Sequence, residues 1–414
     1  MSDTGVKNII IVGGAYSGVS IAHYLLKHVL PKLSNASAYQ IILVSTSAQA
    51  LCRPACPRAM ILDDFFDQSK LFVDIDAQFK HYPATNFNFV KGAVVDWNHH
   101  EGHITIHSAQ GETSVLSYHS LVLASGSSTP SPLLGLNGDE LELRSSWTQF
   151  RASLKSAKRI VIAGGGPAGV ETAGELGEYL NGRLCGWSGS SPKSKKVDIK
   201  LVTSASQLLP ALRPSIAGKA ETYLSALGVE VIKNSKVVHV QPEGAGISSV
   251  TTSATIKLDN DQTLEADIYI PATGTKANTS FADPALLAED GRITTNPSTL
   301  RVDLAGVRVY ALGDVASAAR PAIHVIFEQV PVVCANIKRD LLLAEGQDEK
   351  SVGQDRVFRE DVRETQMVLI GKNAGLGAAM GWALPSWAVK MIKRDYWLWT
   401  TANLWSGKQW EKEK

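Results

Sequence analysis

Arg159-Ile-Val-Ile-Ala-Gly-Gly-Gly-Pro-Ala-Gly169 is the stretch of the 414-residue sequence that decides the fold. Its apolar start is typical of a buried strand, and apolar residues recur at helical spacing from about Ala168 to Leu180. Between them stand Gly164 for a tight turn, Gly166 for close approach of backbone to a pyrophosphate, and Gly169 for close packing of helix on strand. The stretch therefore predicts a strand, a phosphate-binding turn and a helix.

A second stretch of the same kind stands near the N-terminus, in Gly13-Gly14-Ala15-Tyr16-Ser17-Gly18. It follows the apolar run from Asn8 to Val12 and precedes a helical pattern from Gly18 to Leu30. A further apolar run, Ile41 to Val44, completes a strand-helix-strand unit with parallel strands. Ala15 replaces the middle glycine, so we expect its methyl group to push a dinucleotide slightly away or to require a small backbone shift.

The units at Gly13 and Gly164 predict an α/β protein with two Rossmann-type folds, each heading its own dinucleotide-binding domain. The residue that ends the second strand of such a unit usually contacts the adenosine ribose, and an acid there favours a free 2′-hydroxyl. Ser45 has this position in the first unit and Thr203 in the second. Neither is acidic and no arginine adjoins Thr203, so the sequence permits NADPH without requiring it.

Composition restricts the function further. The formal charge of +1 disfavours a nucleic-acid partner, and four cysteines without zinc-like spacing favour a reducing compartment. The N-terminus leaves no room for a signal peptide, Ser2 replaces the glycine that myristoylation needs, and no apolar run reaches a membrane-spanning length. We expect a cytoplasmic protein, with peripheral membrane residence as the alternative.

Four segments in a fixed order identify a resemblance: Leu121-Val-Leu-Ala-Ser-Gly126, Gly164 to Glu175, Ile268-Tyr-Ile-Pro-Ala-Thr-Gly274 and Val309-Tyr-Ala-Leu-Gly-Asp314. Together they resemble the two-dinucleotide flavoproteins of the pyridine nucleotide-disulfide oxidoreductase type, such as glutathione reductase, type II NADH dehydrogenase and apoptosis-inducing factor. The resemblance implies FAD in the first unit, NAD(P)H in the second, and Asp314 beside the FAD ribityl-pyrophosphate region. It also implies that the segments ending at Gly126 and Gly274 are the crossovers between domains.

The implied division is residues 1–135 and 275–350 for FAD, 136–274 for an inserted NAD(P)H domain, and 351–414 for a small C-terminal α+β domain. Within the family the chain looks most like the apoptosis-inducing-factor-like group that includes ferroptosis suppressor protein, an NAD(P)H quinone reductase. Three segments are similar to that group: Ala55 to Ala59 with Arg58, Met367 to Gly377, and Lys393-Arg-Asp-Tyr-Trp397. The chain departs from the pattern of this group at Ala15, Ser45 and Ser2. The first two departures bear on the affinity for FAD, and the third bears on membrane residence.

The residues predicted to contact the two cofactors come from the glycine turns, the strand ends and the resemblance. They are Gly13, Gly14, Ala15, Ser17, Gly18, Ser45, Arg58, Ala124, Gly126, Gly164, Gly166, Gly169, Thr203, Gly274, Gly313 and Asp314.

Glu171 and Trp397 are the predicted catalytic residues. The resemblance places Glu171 near flavin and nicotinamide, where a carboxyl group of adjusted pKa could relay a proton, while the alternative is a glutamate that only balances the helix dipole. The same resemblance folds the C-terminal segment back so that Trp397 lines the acceptor pocket.

Two other clusters are interpreted as structural. Cys52 and Cys56 lie where disulfide reductases hold their redox pair, but they are separated by three residues instead of four, and Pro54 and Pro57 interrupt the helix that such a pair needs. We expect reduced thiols. The histidines around His103 and His107 alternate along one face of an outer strand, so no metal site is expected.

Six of the nine tryptophans fall at positions 382, 387, 397, 399, 405 and 410, interleaved with lysine and arginine. We favour the interpretation that these rings pack over the flavin domain and line the substrate pocket. The alternative is peripheral membrane contact.

The leading hypothesis is an FAD-dependent oxidoreductase that passes electrons from NAD(P)H to a quinone or conjugated carbonyl, acting alone or as a homodimer. Two alternatives stay open: a tailoring oxidoreductase of small-molecule biosynthesis, and a redox-responsive interaction protein like apoptosis-inducing factor.

Overall fold

Two parallel sheets, each the centre of a strand-helix-strand unit, organise the chain in a computed structural model that describes residues 5–182 and 195–414. The segment from Gly182 to Lys196, interpreted from sequence as a surface loop, falls mostly on residues 183–194, outside the described residues.

The strands, in chain order, are β1 Lys7–Val12, β2 Tyr39–Ser45, β3 Gln49–Leu51, β4 Phe72–Asp74, β5 Phe87–Lys91, β6 Ala93–Asn98, β7 His103–His107, β8 Thr113–Ser117, β9 Ser120–Leu123, β10 Ser127–Ser128, β11 Arg159–Ala163, β12 Asp198–Val202, β13 Val229–Ile232, β14 Val237–Gln241, β15 Ala254–Leu258, β16 Thr263–Ala266, β17 Ile268–Pro271, β18 Lys276–Ala277, β19 Val309–Ala311, β20 Gln366–Ile370, β21 Ala374–Ala379 and β22 Trp382–Ala383. The α-helices are α1 Tyr16–Tyr24, α2 Cys56–Ala59, α3 Gln68–Leu71, α4 Glu140–Leu154, α5 Pro167–Leu180, α6 Pro214–Ser225, α7 Ile323–Ala344, α8 Glu349–Val352, α9 Ser386–Lys393 and α10 Leu398–Trp405.

The first parallel sheet has the strand order β19-β9-β1-β2-β5. Its central strand β1 is apolar on both faces, and Ile9, Ile10 and Ile11 are fully buried, as expected for a parallel strand covered on both sides. Helix α1 packs against α7 on one face of this sheet. The predicted helix from Gly18 to Leu30 is present, but after Tyr24 it continues as a π-helical segment, Leu25–Val29.

The second parallel sheet has the order β13-β12-β11-β17 and repeats the first arrangement, with α5 between β11 and β12. The predicted strand 159–163 is found with the same bounds, and the predicted helix begins one residue earlier, at Pro167. Antiparallel three-stranded sheets flank the two units, β6-β7-β8 after the first and β14-β15-β16 after the second.

The two crossovers between these units pair with each other. Ser127 of β10 lies opposite Ala277 of β18, in an antiparallel ladder just beyond Gly126 and Gly274. The second unit is therefore inserted in the first, and the chain leaves and re-enters at neighbouring points.

The C-terminal part is an α+β segment, with the sheet β20-β21-β22 backed by α9 and packed on α5. The chain then returns to the first unit, where the ring of Trp405 stacks on Tyr16 at 4.5 Å between centroids. One continuous apolar core joins Met60 to Ile160 and Val368. Apolar packing therefore runs across the predicted boundaries at 135, 274 and 350, which stay predictions.

Candidate active site

Both glycine turns open on one cleft of about 1600 Å³. The carboxyl ends of β1 and β11 face this cleft, which is where parallel α/β sheets bind ligands. Most of the predicted site residues line it: Gly13, Gly14, Ala15, Ser17, Ser45, Ala124, Gly126, Gly164, Gly166, Glu171, Thr203, Gly274, Asp314 and Trp397. The structure thus brings together predicted residues from both units and from the C-terminal segment.

The first glycine of each turn is required by geometry. Gly13 and Gly164 have φ of +119° and +123°, and a Cβ atom would lie 2.2 Å from the carbonyl oxygen of Ala124 at Gly13 and 2.1 Å from that of Ala272 at Gly164. Such contacts are far shorter than atoms tolerate, so only glycine fits. Each crossover segment is thereby held against a turn.

The last glycine of each turn has a packing role and does not line the cleft. A Cβ atom on Gly18 would lie 1.8 Å from the carbonyl oxygen of Gly13, and one on Gly169 would lie 1.9 Å from that of Gly164. These two glycines therefore set the height of each helix over its strand, as their position in the spacing predicts.

The two helix N-termini at the cleft lack side-chain caps. Ala15 is the N-cap residue of α1 and Gly166 that of α5, and neither gives a side-chain hydrogen bond to its first turn. Free N–H groups at a helix start are suited to phosphate oxygens. A Cβ atom at Gly166 would meet nothing within 4 Å, so the backbone there faces open space. The turns fit the pyrophosphates of FAD and of NAD(P)H.

The hydroxyl residues at the two strand ends have equivalent surroundings. A Cβ atom on Gly14 would lie 2.7 Å from the Ser45 Oγ, and one on Gly165 would lie 2.6 Å from the Thr203 Oγ1. Each small hydroxyl residue thus packs directly on its glycine turn. Neither unit places a carboxylate at this position, as the sequence predicted.

Asp314 lies where the two crossovers meet. Its carboxylate accepts a hydrogen bond from Ser127 Oγ at 2.7 Å and lies 3.5 Å from the Arg53 guanidinium. Gly313, at φ +73°, does not line the cleft: its N–H donates to Gln329 Oε1 at 3.0 Å, and a Cβ atom would lie 2.5 Å from Ser17 Oγ. This glycine brings Asp314 close to the first turn.

Arg58 requires a correction, because the structure does not bring it to the cleft. Its guanidinium forms two hydrogen bonds with Glu175, at 2.9 and 2.7 Å, and both side chains are buried. The arginine that lines the cleft is Arg53, five residues earlier. Sequence reasoning missed it because the resemblance drew attention to Arg58, although Pro54 shows that the chain turns between them.

Glu171 forms a buried ion pair that the sequence did not predict. Its carboxylate accepts hydrogen bonds from Lys393 Nζ at 2.5 Å and from the backbone N–H of Leu369 at 3.0 Å. Both charged side chains are about 95% buried, yet both contribute to the cleft wall. Burial raises the pKa of Glu171 above its usual value, against the opposing effect of Lys393. A protonatable acid therefore stands at the cleft.

Behind this pair lies a second polar layer centred on Glu175, one helical turn along α5. Its carboxylate accepts a hydrogen bond from Tyr396 OH at 2.8 Å besides those from Arg58. Burial, and then the nearby carboxylate of Glu175, raise the pKa of Tyr396. The charges of this layer are paired, and they hold the C-terminal segment against α5.

Trp397 reaches the cleft through unusual backbone. Asp395, Tyr396 and Trp397 have φ of 51°, 49° and 71°, three consecutive residues in the left-handed region. Non-glycine residues rarely adopt this conformation, and it persists where surrounding contacts enforce it. Here the buried Tyr396 is held by Glu175, and the reversal of the chain turns Trp397 toward the cleft.

The two cysteines near the cleft are free and fully buried. Cys52 Sγ donates to the carbonyl of Tyr396 at 3.4 Å, and burial raises the pKa of Cys56 to about 12. Both therefore hold their protons near neutral pH. His103 and His107 lie in β7, and no group of His, Cys, Asp or Glu in the described ranges is arranged to hold a metal ion.

The C-terminal tryptophans divide into three groups. Trp405 and Trp410 are buried against α1, Trp397 lines the cleft, and Trp382, Trp387 and Trp399 are exposed. The favoured interpretation, packing and pocket wall, accounts for the first two groups only. Among the residues that the structure describes, no helix is both long enough and apolar enough to cross a membrane.

Comparison with known proteins agrees with this geometry. Residues 7–334 match the pyridine nucleotide-disulphide oxidoreductase family. The chain belongs to this family. Its members bind FAD and NAD(P)H, which confirms the two cofactors that the resemblance implied.

Three relatives match nearly the whole chain. The sequence is 54% identical to oxidoreductase phnG of Penicillium herquei, covering 99% of this chain and 98% of the relative. Identity is 29% to oxidoreductase ptaL of Pestalotiopsis fici, covering 94% and 96%, and 24% to ferroptosis suppressor protein 1 of Xenopus tropicalis, covering 93% and 92%.

Solved structures confirm the predicted fold. NDH2 from Plasmodium falciparum in complex with NADH superposes with a TM-score of 0.68 at 14% identity, covering 99% of both chains. Reduced Bacillus anthracis CoADR-RHD superposes with a TM-score of 0.64 at 18% identity, covering 95% of this chain and 64% of the other.

Proposed function

We propose that this oxidoreductase transfers hydride from NAD(P)H to FAD, and from there reduces a flat, quinone-like or conjugated carbonyl acceptor. The observation that carries the proposal is the position of Glu171 and Trp397 on the wall of the cleft that both glycine turns share. An acid with a raised pKa is suited to give a proton to a carbonyl oxygen. An indole ring is suited to stack on a planar acceptor.

Each part of the site has a separate task. The first turns of α1 and α5 hold the two pyrophosphates, and Arg53 and Asp314 stand between them at the crossovers. FAD, when bound, supplies the electron relay between nicotinamide and acceptor. Reduction of a quinone takes up two electrons and two protons. A hydride carries both electrons with one of these protons. Glu171 supplies the other proton, and Lys393 then stabilises the carboxylate that remains.

The test is an anaerobic absorbance titration of the purified protein. NADH or NADPH is expected to bleach the flavin bands, and a short-chain benzoquinone or a naphthoquinone is expected to restore them. A reduced protein that no quinone or conjugated carbonyl reoxidises would overturn the proposal and favour the redox-responsive interaction protein.

A tailoring enzyme of small-molecule biosynthesis is the second candidate. Identity is much higher to oxidoreductase phnG, at 54%, than to ferroptosis suppressor protein 1, at 24%. The likeness to ferroptosis suppressor protein 1 therefore carries less weight in choosing the acceptor class. Slow turnover of simple quinones beside fast turnover of one specific conjugated carbonyl compound would support the tailoring enzyme.

Peripheral membrane contact is a further proposal, supported by the exposed rings of Trp387 and Trp399 with Lys390 and Arg394 nearby in sequence. In a flotation assay, the protein is expected to float with vesicles that contain phosphatidylserine. The variant Trp387→Ser is expected to bind these vesicles more weakly. The matched control is Val362→Ser, at another exposed apolar position. Absence of flotation would contradict the contact. The homodimer and the cytoplasmic location stay predictions.

A further inference from the structure

The cleft has a cation near the end of β12, the strand end whose residue usually contacts the adenosine ribose. Thr203, Ser204 and Ala205 follow β12 and line the cleft, and Ser235, Lys236 and Val237, which follow β13, line it beside them. Among the cleft-lining residues after these two strands, Lys236 alone carries a charge. The sequence showed no basic residue next to Thr203, because Lys236 is 33 positions away and only the fold brings it near.

Backbone hydrogen bonds lock the two loops together. Ser235 N–H donates to the carbonyl of Thr203 at 3.0 Å, and Asn234 N–H donates to that of Ala205 at 3.1 Å. Asn234 has φ of 51°, a conformation that asparagine tolerates better than most residues. Lys236 N–H in turn donates to Asp259 Oδ1 at 2.9 Å. The backbone of Lys236 is therefore fixed in position.

The ammonium of Lys236 is uncommitted, unlike that of its neighbours. Lys233 is paired with Glu221 at 2.9 Å and Lys200 with Glu230 at 2.5 Å. Lys236 is exposed and has no ion pair with any residue in the described ranges. Ser204 is also exposed, and it belongs to the loop that hydrogen bonds join to the loop of Lys236. A cation without an ion-pair partner, in a loop joined to one that carries hydroxyl groups, is suited to a phosphate.

We propose that Lys236, with Thr203 and Ser204, receives the 2′-phosphate of NADPH, so that this enzyme prefers NADPH to NADH. The inference rests on the proposed function only in taking the second unit as the nicotinamide nucleotide site. The residue at the end of β12 is the one that faces the adenosine ribose in such a unit, and the loop after β13 is hydrogen-bonded to it. An exposed lysine is screened by solvent, so its effect is a preference and not an absolute selection.

Binding to the FAD-loaded full chain tests the inference without turnover. Calorimetry compares 2′,5′-ADP with 5′-AMP, which lack the nicotinamide and differ by the phosphate of interest. The parent is expected to bind 2′,5′-ADP about tenfold more tightly, with the difference shrinking as salt rises. Lys236→Met is expected to abolish most of this difference, and Ser204→Asp to reverse it.

Lys219→Met is the matched control, since Lys219 is an exposed lysine on α6 that does not line the cleft. It is expected to leave the tenfold ratio unchanged. Equal binding of the two nucleotides by the parent, or an unchanged ratio in Lys236→Met, would overturn this inference alone. If neither nucleotide binds and neither NADH nor NADPH reduces the flavin, the proposed function fails together with it.

Discussion

Lys393 Nζ lies 2.5 Å from Glu171 Oε1, although the two residues are 222 positions apart in the chain. The pair joins the helix that follows the second glycine turn to the last helix before Trp397. Removing one partner of a buried pair leaves an uncompensated charge, at a cost of about 3–5 kcal/mol. The contact therefore fixes the Glu171 carboxyl group at the cleft wall and fastens the segment that carries Trp397.

Glu171→Gln is expected to slow reoxidation of the reduced protein by quinone about a hundredfold, because the amide cannot donate the proton that the carboxylic acid does. In the parent, this step is expected to slow as pH rises through the raised pKa of Glu171, since the protonated donor is then lost. Stopped-flow absorbance at several pH values measures both effects. Glu178→Gln, farther along α5, is the control and should retain the parent pH profile.

Gly166→Val is expected to abolish reduction by NAD(P)H while FAD stays bound. An added Cβ atom meets nothing of the protein within 4 Å, so we expect the fold to be retained, but the side chain occupies the space that the second helix N-terminus offers to a pyrophosphate. Flavin absorbance and nucleotide titration measure the two properties separately.

Gly218→Val provides the control, because a Cβ atom there also meets nothing within 4 Å and Gly218 lies outside the cleft. Loss of flavin from Gly166→Val with unchanged nucleotide affinity would show that the two sites are exchanged.

Trp397→Ala is expected to raise the apparent KM for the acceptor about three- to tenfold, or to speed reoxidation by oxygen, while reduction by NAD(P)H changes little. The indole lines the cleft and is suited to cover the flavin from water. Trp397→Phe should keep most of the parent behaviour. If only reduction of the flavin by NAD(P)H slows, Trp397 does not contact the acceptor, and the C-terminal segment has a purely structural role.

Cys52→Ser and Cys56→Ser are expected to keep activity within about twofold of the parent, because burial raises both thiol pKa values and disfavours the thiolate that a dithiol relay needs. Steady-state assays check this, with circular dichroism to verify folding. Near-complete loss in both folded variants, with a two-electron dithiol titration in the parent, would restore the disulfide-reductase interpretation.

The burial of His23 leads us to expect that the free energy of unfolding falls in acid. Burial lowers its pKa from 6.5 to about 3, and the neutral ring bonds to the carbonyl of Trp405 at 2.7 Å and to Tyr82 OH at 3.0 Å. The unfolded chain binds a proton below pH 6.5 and the folded chain does not, so stability is complete above pH 6.5 and falls toward pH 3. The slope from this group is at most about 1.4 kcal/mol per pH unit.

Melting temperatures of the parent and of His23→Gln at pH 7.5, 6.5 and 5.5 test this expectation. The glutamine amide can keep hydrogen bonds but does not titrate. The gap between the two proteins is expected to narrow as pH falls, and a constant gap would contradict the role of His23.

Much of the site was predictable because it is local. Residues 13–18 and 164–169 carry their spacing, their strand and their helix within a few positions, and all the strands that begin these units were found where expected. The prediction for Glu171 came from the resemblance, and the structure places this residue on the cleft wall. The position of Arg58 was not predictable, because the direction of a side chain on the short helix α2 depends on Glu175, which packs against it from another element.

The sequence by itself determined the two nucleotide-binding units, their order and the family, since turn glycines and apolar runs impose their conformation over short distances. Only the tertiary structure decided what surrounds the cleft between them. Lys393 meets Glu171, Arg53 meets Asp314, and Lys236 comes beside Thr203. Charges far apart in the chain pair or stay free according to which elements pack together, and no local pattern contains that information.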